Sequence, residues 1–177
     1  MRRGRLSDMV APQSELFGLD DQVAVVTGAS GVLGGAIARG LAAAGARVGL
    51  LARRRERLEE LAWSLGESAI VLEAYLLDAG QLERARTTVL YRWGRVDALV
   101  NAAGGNIAAA TVGERSFFEL PVAALDEVVR LNFYGTVVPS QVFGAVMAVD
   151  GDEAIRPRSI VNISSLAAQR ALTRVVG

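Results

Sequence analysis

Apolar residues along the chain follow two rhythms. Short runs with little polar interruption occupy 23–27, 47–51, 69–74, 97–100 and 159–163, and segments of helical period lie between them at 34–44, 54–65, 80–93 and 122–148. Runs of the first kind predict strands buried on both faces, and those of the second predict helices that cover them. The alternation therefore predicts an α/β fold, a doubly wound parallel sheet with helices on both faces. One domain over 17–177 follows, preceded by a loosely ordered N-terminal arm over 1–16 that carries Arg2, Arg3 and Arg5. The last apolar run is followed by 14 residues without a helical pattern, so the sheet is expected to be incomplete at its C-terminal edge.

Chemistry enters first between the strand at 23–27 and the helix that follows it. Gly28, Gly31 and Gly34 there let backbone N–H groups approach an anion without a Cβ in the way. The helix aims the positive end of its dipole at the same place. Strand, glycine turn and helix in this order make a Rossmann-like dinucleotide site, with ligands expected beyond the carboxyl ends of the strands. The reading that the glycines serve only local geometry is outweighed by that context.

Composition narrows the chemistry. The 177 residues contain no histidine and no cysteine, which removes Ser-His-Asp triads, cysteine nucleophiles, disulfides, and histidine or thiolate metal sites. The 19 basic residues balance the 19 acidic ones, so neither nucleic acid nor an anionic membrane is the expected partner. A small-molecule substrate is. Residues 1–16 lack the apolar core of a signal peptide and no run approaches 18 uncharged apolar residues, from which a cytoplasmic protein is expected.

The second strand ends at Ala52, where a dinucleotide site usually has an acid that grips the adenosine ribose. Arg53 follows, and an arginine suits a 2′-phosphate; this favours NADP(H) over NAD(H). Arg54, Arg55 and Arg57, alternating with Glu56, Glu59 and Glu60, read as the solvated first turns of a helix. Asp78 closes the third strand either as an adenine contact or as an N-cap for the helix from 80. Asn101, Ala102 and Gly104 end the fourth strand with small residues that suit a floor under a cofactor. Asn132, Gly135 and Pro139 weaken the interior of the helix at 122–148. They signal either a kinked core helix or a freed carbonyl that, with the Asn side chain, holds a water. Ser164 and Ser165 end the last strand at the same crevice.

Four motifs, Thr27-Gly-Ala-Ser-Gly-Val-Leu-Gly34, Asn101-Ala-Ala-Gly104, Leu131-Asn-Phe-Tyr-Gly135 and Ile160-Val-Asn-Ile-Ser-Ser165, together resemble the short-chain dehydrogenase/reductase family in order and spacing. The likeness runs from about residue 17 to 177. It implies that Asn132 holds a relay water and that Ser165 hydrogen-bonds the substrate oxygen. It further implies that Thr27, Gly28, Ser30, Gly31, Leu33 and Gly34 cradle the pyrophosphate, while Asp78, Asn101, Ala102 and Gly104 line the adenine and nicotinamide-ribose side. Val32 stands where the family has its middle glycine. That variant, with Gly104-Gly105-Asn106 and the loop through Arg115 to Pro121, is similar to the subgroup of D-mannonate oxidoreductases.

The resemblance implies hydride transfer between NADP(H) and the carbonyl or alcohol of a polar substrate, such as the keto sugar acid of the D-fructuronate/D-mannonate pair. Asn106 and Arg115 are the substrate candidates, with Arg170 or Arg174 for a carboxylate. No metal is expected, and the intact protein is expected to be a homodimer or homotetramer. The family's Tyr-x-x-x-Lys acid/base pair falls, by the same spacing, just past Gly177, so this stretch is expected to bind cofactor without turning over substrate. The alternative is a nucleotide-binding or interaction module without catalysis. A methyltransferase using S-adenosylmethionine fits less well, since it wants an acid where Ala52 stands.

Overall fold

The computed structural model describes residues 17–112, 116–149 and 157–169. The N-terminal arm at 1–16, and Arg115, Arg170 and Arg174, lie outside the described residues. Strands β1 (Val23–Thr27), β2 (Arg47–Ala52), β3 (Ala69–Glu73), β4 (Ala98–Asn101) and β5 (Ser159–Asn162) form one sheet in the order β3-β2-β1-β4-β5. Every pairing is parallel. Helices α1 (Val32–Ala43), α2 (Arg55–Leu65), α3 (Ala79–Trp93), α4 (Val122–Val129) and α5 (Gly135–Met147) make the connections.

The period-two alternation of the strands decides which helix covers which face. Val26, Val48, Leu50 and Ala52 share one buried cluster with Ala38 of α1 and with Leu58 and Leu61 of α2. Val23, Val25, Leu51 and Leu99 share the opposite one with Leu82, Ala85 and Val89 of α3 and Phe143 of α5. The strands therefore carry apolar side chains in both directions. Each fully buried Val, Leu or Phe contributes about 1.5–3 kcal/mol.

The register sets the working edge. Thr27 pairs with Leu51 on one side and Asn101 on the other, Ala52 pairs with Glu73, and Asn101 pairs with Asn162. The carboxyl ends of all five strands thus form one row. Strand order reverses between β1 and β4, so the switch point lies in the middle of that row.

At the other end of the strands, Asp97 is 2% exposed and accepts from the Val23 backbone N–H at 2.8 Å while pairing with Arg95. This carboxylate ties β1 to β4. β5 lies at the end of the strand order, and Ile160 and Val161 on it remain 42% and 47% exposed. The expected bare edge is therefore present among the described residues.

The helix expected over 122–148 is interrupted. Arg130–Tyr134 form a π-turn between α4 and α5, with Asn132 at its centre. Pro139 lies inside α5 and is buried. The long loop before α4 has its own small core, in which Ile107 and Ala110 pack on Ala124, Leu125 and Val128.

Candidate functional site

The site is built on the row of strand ends. Thr27 is fully buried, and its Oγ1 accepts from the backbone N–H groups of Ala102 at 3.1 Å and Ala103 at 3.2 Å. The hydroxyl locks the end of β1 to the segment leaving β4. Gly28 follows at φ 68°, and a Cβ there would stand 2.8 Å from the Ala103 Cα. A side chain is excluded on both counts. A Cβ on Gly34 would collide with the Gly28 carbonyl, so the start of α1 is pressed onto the turn.

The beginning of α1 is an open anion site. Its N-cap is Gly31, which carries no side-chain cap, and its first turn has no acidic residue. The first amides of this twelve-residue helix therefore keep their donors and the dipole keeps its positive end. Val32 is 94% exposed there, so its side chain has little contact with the rest of the protein. A pyrophosphate fits this cradle, and the structure thus suits a dinucleotide where the sequence pattern expects one.

At the end of β2 the two arginines divide differently from the expectation. Arg54 is the N-cap of α2, and its Nη2 donates to the Ser30 carbonyl at 3.3 Å and lies 3.4 Å from the Ser30 hydroxyl. Arg53 turns toward the third strand, its guanidinium carbon 5.9 Å from the centroid of the Tyr75 ring. The residue that reaches the glycine turn is thus Arg54, which the charge pattern reads as part of a solvated helix face. The turn of the backbone at the cap, φ −93° and ψ 93°, brings it there. An open cleft of about 530 Å³ continues from Ser30 and Gly31 between α1 and α2, past Arg39, Arg57 and Glu60.

Beyond β3, Asp78 is the N-cap of α3. Its Oδ1 accepts from the Gln81 backbone at 3.0 Å and its Oδ2 from Gln81 Nε2 at 2.9 Å. The backbone hydrogen bond from Gln81 holds the carboxyl below the usual aspartate range, partly offset by desolvation. Of the two expected roles, the cap is the one the geometry shows. Gln81 Oε1 in turn accepts from the Tyr75 N–H at 2.8 Å.

Beyond β4, Asn101 is buried, and its Nδ2 donates to Ser140 Oγ at 3.0 Å and to Asn162 Oδ1 at 2.8 Å. Ser140 passes the chain on to the Thr136 carbonyl at 2.7 Å, and Thr136 Oγ1 donates to the Asn132 carbonyl at 2.9 Å. Asn101 therefore works from inside the sheet, linking β4, β5 and α5. Ser140, Thr136 and Asn162 were not legible as site residues, because only the packing of α5 against the strand ends brings them together.

Asn132 spends its carboxamide on backbone. Oδ1 accepts from Gly105 N at 2.9 Å, while Nδ2 donates to Gly105 O at 2.8 Å and to Val128 O at 2.9 Å. Gly104 must be a glycine beside it, since a Cβ would lie 2.7 Å from Asn132 Oδ1. Both polar atoms of the carboxamide thus have backbone partners. The Asn132 carbonyl, which accepts from Thr136 Oγ1, keeps a second lone pair at the π-turn; such turns recur at functional sites. Asn106 closes its own loop, its Oδ1 accepting from Ile107 N at 2.9 Å and its Nδ2 reaching Thr111 at 3.4 Å. Ser165 lies just past β5, exposed, with Oγ accepting from Ala167 N at 3.2 Å and its hydroxyl proton left for another acceptor.

Among the described residues no cluster of acidic side chains suits a metal ion, and no helix is long and apolar enough to cross a membrane.

Comparison with known proteins agrees with this geometry. The family profile for short chain dehydrogenases matches residues 22–176. The uncharacterized oxidoreductase UxuB of Bacillus subtilis is 36% identical over 169 residues, covering 89% of this chain and 59% of that protein. The D-threitol dehydrogenase of Mycolicibacterium smegmatis is 35% identical over 163 residues, covering 90% of this chain and 58% of that protein. A crystal structure from Haemophilus influenza, provisionally described as a D-mannonate oxidoreductase and holding NAD, superposes with a TM-score of 0.82 at 29% identity. It is matched over 93% of this chain and 62% of its own. The chain spans about three fifths of the length of these relatives.

Proposed function

The chain belongs to the short-chain dehydrogenase family, and from that premise we propose that it binds NADP(H) along the carboxyl ends of β2, β1 and β4. When bound, the nicotinamide supplies or accepts a hydride at the carbonyl or alcohol of a polar substrate. Gly28, Gly31, Gly34 and the first amides of α1, with Thr27, Ser30 and Leu33 beside them, hold the pyrophosphate. Asn101, Ala102 and Gly104 form the floor toward the nicotinamide ribose. Ser165 hydrogen-bonds the substrate oxygen, and the Asn132 carbonyl holds the relay water.

The observation that carries the cofactor preference is the reach of Arg54 to Ser30 at the end of a strand that closes on Ala52. A pyrophosphate on α1 brings the adenosine ribose to the end of β2. An acid there would repel a 2′-phosphate; a guanidinium and a hydroxyl receive one. The Haemophilus influenza structure holds NAD, so the test is a direct comparison. Titration of the chain with NADPH and with NADH, followed by nicotinamide fluorescence, should give about tenfold or tighter binding of NADPH, the effect of one charge-assisted contact. Equal affinities overturn the 2′-phosphate reading, and absence of binding overturns the site.

For substrate, the likeness to a protein described as a D-mannonate oxidoreductase and to a D-threitol dehydrogenase supports a sugar acid or polyol. Asn106 and Arg115, which precede α4 in the sequence, are the residues we assign to its selection. The intact protein acts in the cytoplasm, and a homodimer or homotetramer is its proposed state. The 177 residues contain no lysine and therefore no Tyr-x-x-x-Lys pair. These residues by themselves should bind NADPH without reducing D-fructuronate. Turnover by them alone would contradict this assignment of the proton donor.

A further inference from the structure

β2 ends without an acid, but the neighbouring strand brings one alongside. Ala52 pairs with Glu73, the last residue of β3. Ala52 packs in the cluster that holds Leu58 and Leu61 of α2, and Glu73 meets Arg55 at the start of the same helix, Nη1 to Oε2 at 3.6 Å. Both side chains therefore lie on the α2 side of the sheet, one strand spacing, about 4.8 Å, apart along the pairing direction. Ala29 belongs to the same cluster, so Glu73 shares this face with the glycine turn that Arg54 reaches through Ser30.

The three consecutive arginines leave the strand end in three directions. Arg53 lies over the Tyr75 ring and Arg54 reaches Ser30, whereas Arg55 is held between two carboxylates, its Nε donating to Glu59 Oε1 at 2.7 Å. Among the described residues no carboxylate lies within ion-pair distance of Arg53 or Arg54. Arg55 thus answers the acid beside the end of β2 and leaves the charge of the other two uncompensated. Without Arg55, the Glu73 carboxylate would act as an acid at the end of β2 acts: it would repel a 2′-phosphate and favour a 2′-hydroxyl, from which it can accept a hydrogen bond.

Resting on the NADP(H) reading above, we propose that Arg55 is a positioning residue for cofactor selection: by pairing with Glu73 it neutralises the acid beside Ala52, and this pair sets the preference between a 2′-phosphate and a 2′-hydroxyl. Arg55 acts through Glu73 and not on the ligand. The size of the effect follows from Coulomb's law. A carboxylate and a doubly charged phosphate about 8–10 Å apart in water repel enough to change affinity by about three- to fivefold. The two side chains of the pair are 60% and 50% exposed, so the influence is screened by salt.

The test is equilibrium binding of NADPH and of NADH to the chain and to Arg55→Gln, Arg55→Lys, the double variant Arg55→Gln/Glu73→Gln and Arg92→Gln, with melting curves to confirm that each folds. Arg92, in the last turn of α3, carries the same charge change at a helix end remote from the site. At about 10 mM salt, where screening is weak, Arg55→Gln should weaken NADPH by about three- to fivefold and leave NADH unchanged or tighter. Arg55→Lys and the double variant should return the NADPH-to-NADH ratio to that of the unmodified chain, Arg92→Gln should not move it, and about 1 M salt should abolish the differences. An unaltered ratio in Arg55→Gln overturns the proposal while leaving the cofactor site intact. So does a double variant as weak as Arg55→Gln, which would make Arg55 itself a phosphate ligand, or an equal loss in Arg92→Gln, which would reduce the effect to net charge. Equal affinity of the unmodified chain for the two dinucleotides, or no binding of either, overturns the functional reading itself, and the proposal with it.

Discussion

The carboxamide of Asn132 and the backbone of Gly105 form a closed two-bond pair, Oδ1 accepting from the Gly105 N–H at 2.9 Å and Nδ2 donating to the Gly105 carbonyl at 2.8 Å. Asn132 lies in the π-turn between α4 and α5, and Gly105 lies in the loop leaving β4. The pair thus ties the loop leaving β4 to the helical segment that carries the turn. Asn132→Asp keeps an acceptor for Gly105 but leaves the Gly105 and Val128 carbonyls without their donor. A loss of about 1 kcal/mol is expected in urea melts, and a variant as stable as the parent would show that the clasp is incidental.

Thr27 makes a sharper case because it is fully buried. Thr27→Val preserves shape and removes the acceptor of the Ala102 and Ala103 N–H groups. Leaving buried donors unpaired costs about 1–3 kcal/mol, which at this chain length lowers the melting temperature by about 2–4 °C per kcal/mol. Differential scanning calorimetry measures this; an unchanged melting point would mean that these amides find other partners.

Two glycines of α1 should respond in opposite directions to the same substitution. Gly40 has open space where a Cβ would go, so Gly40→Ala should stabilise by about 0.4–1 kcal/mol. In Gly34→Ala the same gain is overwhelmed by collision with the Gly28 carbonyl. That variant should melt earlier and lose NADPH binding. Equal effects in the two variants would argue that α1 is not pressed onto the turn.

Asp78 gives a pH dependence with a definite sign. Its carboxyl is held below the usual aspartate range by the Gln81 backbone hydrogen bond. A depressed folded value means that its contribution is present above the ordinary aspartate pKa and is lost as pH falls through the depressed one. The stability difference between the parent and Asp78→Ala should therefore be largest near neutrality and shrink under strongly acidic conditions. Urea melts at the two extremes measure it, and a difference that grows on acidification contradicts the assignment.

Much of the fold was legible because the strands carry apolar residues in both directions: Val23 and Val25 against α3 and α5, Val26 against α1. The glycine turn was legible because its constraint is local. Arg54 was not, since a cap residue's direction depends on the backbone turn at the strand end and a charge pattern carries no direction. Tyr75 was silent for a related reason. Only the β2–β3 register sets it beside Arg53. Asn132 was visible as a weak point in a helix, but the π-turn depends on its clasp with Gly105, 27 positions away.

The central claim is that the glycine turn and the start of α1 hold the cofactor's pyrophosphate. It is tested most directly by following backbone amide resonances of the isotope-labelled chain during titration with NADPH. The amides of Gly28, Gly31, Val32, Leu33 and Gly34 should shift together and saturate with one dissociation constant, while those in the middle of α3 stay in place. Saturable binding that leaves the turn unmoved and shifts amides elsewhere would contradict the account.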